Sequence, residues 1–96
     1  MKVSRSYIDK MSANQLLSWF LISSYCYYRL SKPVMTDMDF DHLTQKLKSE
    51  WDDVDHPHKS LVTEDHLRAT TGYDIKYPTI VRYSARDIIE SEEKFE

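Results

Sequence analysis

The chain has 96 residues, a formal net charge of −3, one glycine and three prolines. We predict one domain over residues 1–96, which is long enough for one modest core and too short for a multidomain enzyme. The mild charge and the lack of a basic run exclude the phosphate-neutralising surface that duplex DNA requires, so no direct nucleic-acid contact is expected. So few glycines and prolines disfavour the many turns of an all-β fold, and helices should dominate.

The single cysteine and the apolar stretch around it indicate in which cellular compartment the protein resides. Cys26 has no partner for an intrachain disulfide, which favours a reducing compartment and a packing role. The stretch LLSWFLISSYCYY, residues 16–28, is interrupted by serines and lacks a small-residue cleavage site, unlike a signal peptide. It is also too short and too polar to span a bilayer. We therefore expect a cytoplasmic protein without membrane contact.

The first long helix is predicted over residues 12–31. Ser12 and Gln15 have the spacing of a capping box, and apolar residues then recur near helical spacing. Residues 1–11 either extend this helix or form a short separate one, because Tyr7, Ile8 and Met11 have a weak periodicity of their own.

A second helix is predicted between Thr36 and Pro57. Pro33 disfavours helical geometry at Lys32, and Thr36 followed by Asp39 repeats the capping pattern. Apolar residues then form one stripe along the helix: Phe40, Leu43, Leu47, Trp51 and Val54. The short loop between the two helices predicts an antiparallel αα-hairpin.

The C-terminal third gives weaker signals. Residues 64–70, EDHLRAT, favour a short helix ended by Gly72, and residues 76–84, KYPTIVRYS, favour one extended segment. Ser84 and Asp87 then indicate a final helix, ARDIIESEEKF. The predicted fold is mainly α: an antiparallel αα-hairpin with additional short helices and at most one short strand or hairpin. A lone strand would need a partner in the chain or on another molecule, so the oligomeric state stays open.

An antiparallel hairpin should gather five side chains at its tip: Tyr27, Tyr28, Asp37, Phe40 and Asp41. The two aspartates are one helical turn apart at the edge of the apolar stripe, where they can line the rim of a pocket. Two interpretations of the acids stay open, compensation of the helix dipole and ligand binding. The two tyrosines likewise either pack against Phe40 or contact a ligand.

Other patterns argue against metal binding and catalysis. The segment DMDFD resembles the start of a calcium loop, but His42 stands where glycine is needed and Lys48 where a glutamate should be. The segment DHPH, residues 55–58, is expected to be solvated rather than to hold a metal. No nucleophile motif or glycine-rich phosphate loop is present, so we predict neither a metal nor an enzymatic activity of this chain alone.

The segment YYRLSKPVMTDMDFD, residues 27–41, resembles the N-terminal helical subdomain, domain Ia, of NAD-dependent bacterial DNA ligases. That family has a Tyr-His or similar pair, a proline four to five residues on, and then D-x-x-Y-D. A weaker likeness follows in HP, residues 56–57, and LVTED, residues 61–65. The resemblance covers residues 12–65 and leaves residues 66–96 as a C-terminal extension of unknown role.

The resemblance implies a binding role. In the family this subdomain closes over the adenylation domain and holds the nicotinamide mononucleotide half of NAD, so Tyr27, Tyr28, Asp37, Phe40 and Asp41 would contact that ligand. A flat cationic ring favours aromatic faces and nearby carboxylates. Two positions depart from the family: Tyr28 stands where histidine is common, and Phe40 replaces a tyrosine, which removes one hydroxyl.

The chain lacks the K-x-D-G adenylation motif, so it cannot be a ligase by itself. The expectation is a non-catalytic, stand-alone protein, of a kind that a phage could encode. It would bind nicotinamide mononucleotide or NAD weakly, or dock on a ligase adenylation domain. The alternative is a protein-interaction module or an inhibitor of a host protein, without a nucleotide ligand.

Overall fold

The computed structural model describes residues 5–62 and 77–94, the last four by their backbone alone. These residues form four α-helices, which we number in chain order: α1 Arg5–Asp9, α2 Ala13–Tyr28, α3 Asp37–Ser49 and α4 Thr79–Lys94. Two single 3₁₀ turns follow α3, Trp51–Asp53 and Lys59–Leu61. The described residues contain no strand, and the prediction of a mainly helical fold is confirmed.

The predicted capping box starts α2. The Gln15 backbone N–H donates to Ser12 Oγ at 3.3 Å, and the Ser12 backbone N–H donates to Gln15 Oε1 at 2.9 Å. Residues before it form the separate helix α1, whose Ile8 is fully buried. The helix α2 ends at Tyr28 rather than at residue 31, because Ser31 turns the chain with a left-handed φ of 55°. Only glycine adopts such a φ without steric cost.

The hairpin of α2 and α3 forms the centre of the fold. Thr36 caps α3, since its Oγ1 accepts a hydrogen bond from the Asp39 backbone N–H at 3.1 Å. Phe40 stacks on the buried Phe20 of α2, with ring centroids 5.6 Å apart and planes 15° apart. The predicted apolar stripe faces the core: Leu43, Leu47 and Val54 are buried, and Phe40 and Trp51 are partly buried against them.

The second helix is shorter than predicted. It ends at Ser49 rather than near Pro57, because the Glu50 backbone N–H is shared between Lys46 O and Leu47 O and the chain tightens into a 3₁₀ turn. The segment that follows is tied back to α2: the Asn14 side chain donates to Asp55 O at 3.0 Å and accepts from the Asp55 N–H at 2.8 Å. This pairing fixes residues 54–58 beside α2.

The C-terminal segment is helical where an extended strand was predicted. Residues 79–83 belong to α4, which begins at Thr79 and not after Ser84. Pro78 lies just outside the helix, and its carbonyl accepts the Val81 and Arg82 N–H groups at 3.1 and 3.2 Å, so its missing N–H costs nothing there. The extended prediction was therefore wrong for these residues.

The apolar face of α4 belongs to the same core as the hairpin. Val81, Ala85 and Ile89 recur every fourth residue and are buried together with α2 side chains, and Tyr77 meets Tyr25 edge to face at 5.2 Å. Cys26 is fully buried in this core, as expected for a packing side chain. The predicted helix over residues 64–70 lies outside the described residues. Within the described ranges, no helix combines the length and the apolar character that a membrane crossing requires.

Candidate binding pocket at the hairpin tip

A cavity of about 180 Å³ opens where the end of α2, the connecting loop and the start of α3 meet. We call it the tip pocket. Four of its described lining residues were predicted for this site: Tyr27, Tyr28, Asp37 and Phe40. The others are Ser23 of α2 and the loop residues Pro33, Val34 and Met35. The hairpin geometry inferred from the sequence thus brings Tyr27, Tyr28, Asp37 and Phe40 to one place.

The aromatic residues of the tip pocket differ in how firmly they are held. Phe40 is fixed by its stack on Phe20, and its carbonyl accepts a hydrogen bond from Thr44 Oγ1 at 2.9 Å. Tyr27 and Tyr28 meet edge to face, with centroids 4.9 Å apart and planes 83° apart. Tyr27 is 48% exposed, so a large part of its surface faces solvent. The tip pocket therefore has one aromatic residue that is packed in the core, Phe40, and one that is about half exposed, Tyr27.

Only one of the two predicted aspartates lines the tip pocket. Asp37 lies in the first turn of α3, where its charge also complements the helix dipole, and it belongs to the lining. Asp41 is exposed and is not among the lining residues. It lies one turn, about 5 to 6 Å, further along the helix axis from the loop. In this structure Asp37 therefore lines the tip pocket and Asp41 does not, and the contact of either acid with a ligand stays a prediction.

Two further side chains of α3, His42 and Lys46, contact α1. His42 Nε2 donates to Asp9 Oδ1 at 2.7 Å, and this hydrogen bond is the main reason that the pKa of Asp9 lies below its usual value of 3.8. Lys46 Nζ donates to the carbonyls of Ile8 and Asp9 at 3.2 and 2.7 Å, which satisfies the C-terminal end of α1. His42 and Lys46 therefore have a structural role, which is to attach α1 to α3.

A second cavity, of about 200 Å³, lies between α2, residues 56–58 and α4. Ser18 and His56 face it and form a hydrogen bond of 2.9 Å between Oγ and Nε2. The His58 backbone N–H donates to His56 Nδ1 at 3.0 Å, so the neutral ring carries its proton on Nε2 and donates it to Ser18. The ring is then arranged to give a proton to Ser18 rather than to take one, which is opposite to the activation of a nucleophilic serine.

The environment of His56 keeps its ring neutral. Its pKa lies below the usual value of 6.5, first because burial penalises the charged form and second because of repulsion from His58. The prediction that the DHPH segment is simply solvated is wrong for His56, since the ring bonds across to α2. Among residues 5–62 and 77–94, no three His, Cys, Asp or Glu side chains are grouped so that they could hold a metal ion.

Sequence reasoning missed Ser23 as a lining residue. It is only 3% exposed, and its Oγ has no hydrogen-bond partner among the residues that the structure describes. A signal was present, because Ser23 precedes Tyr27 by four positions and so lies on the same face of α2. The loop residues Val34 and Met35 were also missed, and only the folded loop turns them inward.

No family model matches the chain, and neither a curated protein nor a solved structure matches it. The fold and the tip pocket by themselves define a small helical-hairpin protein with a largely apolar cavity of single-ring size. The resemblance to ligase domain Ia stays a prediction.

Proposed function

We propose that the protein is a non-catalytic binding protein whose tip pocket takes a flat cationic ring, as in nicotinamide mononucleotide or NAD. The observation that carries this proposal is the meeting of Tyr27, Tyr28, Asp37 and Phe40 in one cavity. Aromatic walls attract a cationic ring, and a single carboxylate at the rim supplies the opposite charge. The resemblance of residues 27–41 to ligase domain Ia names the nicotinamide ring as that group.

The size and lining of the tip pocket fit the ring and not the whole nucleotide. A volume of about 180 Å³ is close to that of engineered cavities of about 150 Å³, which bind benzene. Pockets for drug-sized ligands are larger, at about 300 to 1,000 Å³. The described lining residues include no lysine or arginine, so none of them would hold a phosphate group inside the cavity. Binding that engages one ring of the ligand should be weak.

Isothermal titration calorimetry with nicotinamide mononucleotide and NAD tests this proposal. The parent should bind both ligands with micromolar to millimolar dissociation constants. Asp37→Asn should weaken binding about two- to fivefold, the range for a solvent-exposed charge pair. Asp41→Asn is the matched control, because Asp41 lies on the same helix outside the lining, and it should bind like the parent. Absence of heat with both ligands refutes the proposal, and equal losses in the two variants refute the assignment of Asp37.

Docking on a ligase adenylation domain is a second candidate function, favoured by exposed apolar side chains at the tip. Met38 is 74% exposed directly beside Asp37, and Tyr27 is 48% exposed at the pocket mouth. Exposed aromatic and methionine side chains are enriched at protein interfaces. Light scattering of a mixture with a purified adenylation domain should detect a complex that Met38→Glu weakens. Ile80→Glu, the same change at a 64% exposed residue of α4, should leave the complex intact. No complex at high micromolar concentration contradicts the docking role.

A further inference from the structure

The outer face of α4 exposes two large apolar side chains to solvent. Ile80 and Tyr83 are both 64% exposed, and their spacing of three positions makes them neighbours on the helix surface. Neither residue belongs to the tip pocket or to the buried face of α4. Exposed apolar side chains that are neighbours, rather than scattered singly, indicate a contact surface.

Four exposed residues follow one line along this outer face, at 3.6 residues per turn: Thr79, Tyr83, Arg86 and Glu90. Their spacing of four, three and four positions is that of a coiled-coil seam. The buried residues of α4 lie on the other side of the helix, in the core shared with α2. This line, which we call the α4 seam, can therefore meet a second helix while α4 keeps its place in the core.

Charges are divided along the outer surface of α4. The exposed arginines, Arg82 and Arg86, lie in its first half, and the exposed acids, Asp87 and Glu90, follow them. None of these four groups forms an ion pair with another residue that the structure describes. A face that is basic at one end and acidic at the other is complementary to a copy of itself that runs in the opposite direction.

We propose that two copies of the chain associate through their α4 seams, with the two helices antiparallel. In the self-complementary register, Tyr83 faces the partner's Arg86, and Thr79 faces the partner's Glu90. The guanidinium then lies against an aromatic ring, and the carboxylate lies near the positive end of the partner's helix dipole. This inference goes beyond the proposed function and does not depend on it, because other residues line the tip pocket.

The size of the contact predicts weak association. A helix of 16 residues is about 24 Å long, and one pair of such helices should bury less than the roughly 1,200 Å² of a standard interface. The dissociation constant should therefore lie in the micromolar to millimolar range. The monomer and the dimer would both be present within the concentrations that solution experiments reach.

Sedimentation equilibrium of the full chain tests the association. The average mass should rise from the 11.5 kDa of one chain towards twice that value as the concentration increases from about 10 μM to about 1 mM. Tyr83→Ser should weaken association about tenfold or more, because an aromatic side chain at the centre of a contact contributes much of its free energy. Met38→Ser is the matched control: it removes a 74% exposed side chain from α3 and should associate like the parent.

Disulfide cross-linking tests the antiparallel orientation. A mixture of Thr79→Cys and Glu90→Cys should form a cross-linked heterodimer under mild oxidation, because antiparallel seams place these two positions opposite each other. Thr79→Cys by itself should cross-link much less. Cys26 is fully buried and should not take part. Mass spectrometry identifies which chains are joined, and circular dichroism checks that each variant is folded.

Three outcomes would overturn the inference. A parent that stays monomeric at millimolar concentration contradicts self-association and leaves the outer face of α4 to a different protein. Equal weakening by Met38→Ser and Tyr83→Ser places the contact outside the α4 seam. Cross-linking of Thr79→Cys with itself as readily as with Glu90→Cys contradicts the antiparallel arrangement.

Discussion

Replacement of His56 by glutamine should make the protein less sensitive to acid. In the folded chain the His56 ring must stay neutral, because Nδ1 accepts the His58 N–H and cannot do so when it is protonated. Glutamine does not titrate, and its amide retains a donor of similar reach towards Ser18. The variant should lose some stability at neutral pH, about 0.5 to 1.5 kcal/mol for the lost acceptor.

The sign of the pH effect follows from the lowered pKa of His56 in the folded state. Above the unfolded value of 6.5 both states are neutral, and the full stability is present. As the pH falls below 6.5, the unfolded chain takes up a proton that the folded chain refuses, so stability is lost until the pH reaches the folded pKa. The upper limit of this loss between about pH 7.5 and about pH 5.5 is about 1.4 kcal/mol. Partial exposure of the ring keeps the real loss below that limit.

Urea unfolding of the parent and of His56→Gln at several pH values measures this loss as the difference between their free energies of unfolding. Titrations common to both proteins cancel, so the stability gap between parent and variant should shrink as the pH falls from about 7.5 to about 5.5. His58→Gln is the matched control: it keeps the backbone N–H, and it should retain most of the acid sensitivity, because burial outweighs the charge of His58 as the cause of the shift. A gap that stays constant with pH would refute the requirement for a neutral His56.

Three further substitutions test the hairpin and the loop packed on it. Ser31→Gly should stabilise the fold by about 0.5 to 1 kcal/mol in urea unfolding, because Ser31 has a left-handed φ of 55°, whereas Ser31→Ala should bring no gain. Asn14→Ala should cost about 1 to 3 kcal/mol, since it removes both hydrogen bonds to Asp55, and a cost near zero would show that the loop is held otherwise. Phe40→Tyr should tighten nicotinamide mononucleotide binding about two- to tenfold by calorimetry, because it restores the hydroxyl of the ligase pattern; unchanged affinity would contradict that placement.

Local chemistry determined the hairpin, which is why the sequence predicted it. The capping pair of Ser12 and Gln15 acts within three residues, and the stripe that includes Leu43 and Leu47 needs only the helical period. The short connecting loop then places Tyr27 and Asp37 in the lining of the same cavity, whatever the rest of the chain does. Elements whose cause lies within a few positions are readable from the sequence.

The helix α4 shows the opposite case. Thr79, Ile80 and Val81 are β-branched residues after a proline, and local propensity favours a strand there. Packing against α2 stabilises the helix, because Val81, Ala85 and Ile89 lie on the same face in helical geometry and can then all be buried. Tertiary contact outweighed a local preference of a few tenths of a kcal/mol per residue.

The sequence by itself determined a capped helical hairpin with aromatic side chains and an acid at its tip. Only the tertiary structure decided that Asp41 stands outside the pocket, that Ser23 is buried in the pocket wall, and that His56 bonds to Ser18 across 38 positions. The physical reason is that capping and periodicity are short-range. Whether a polar side chain is paired, buried or open to a cavity depends on which distant segment of backbone lies against it.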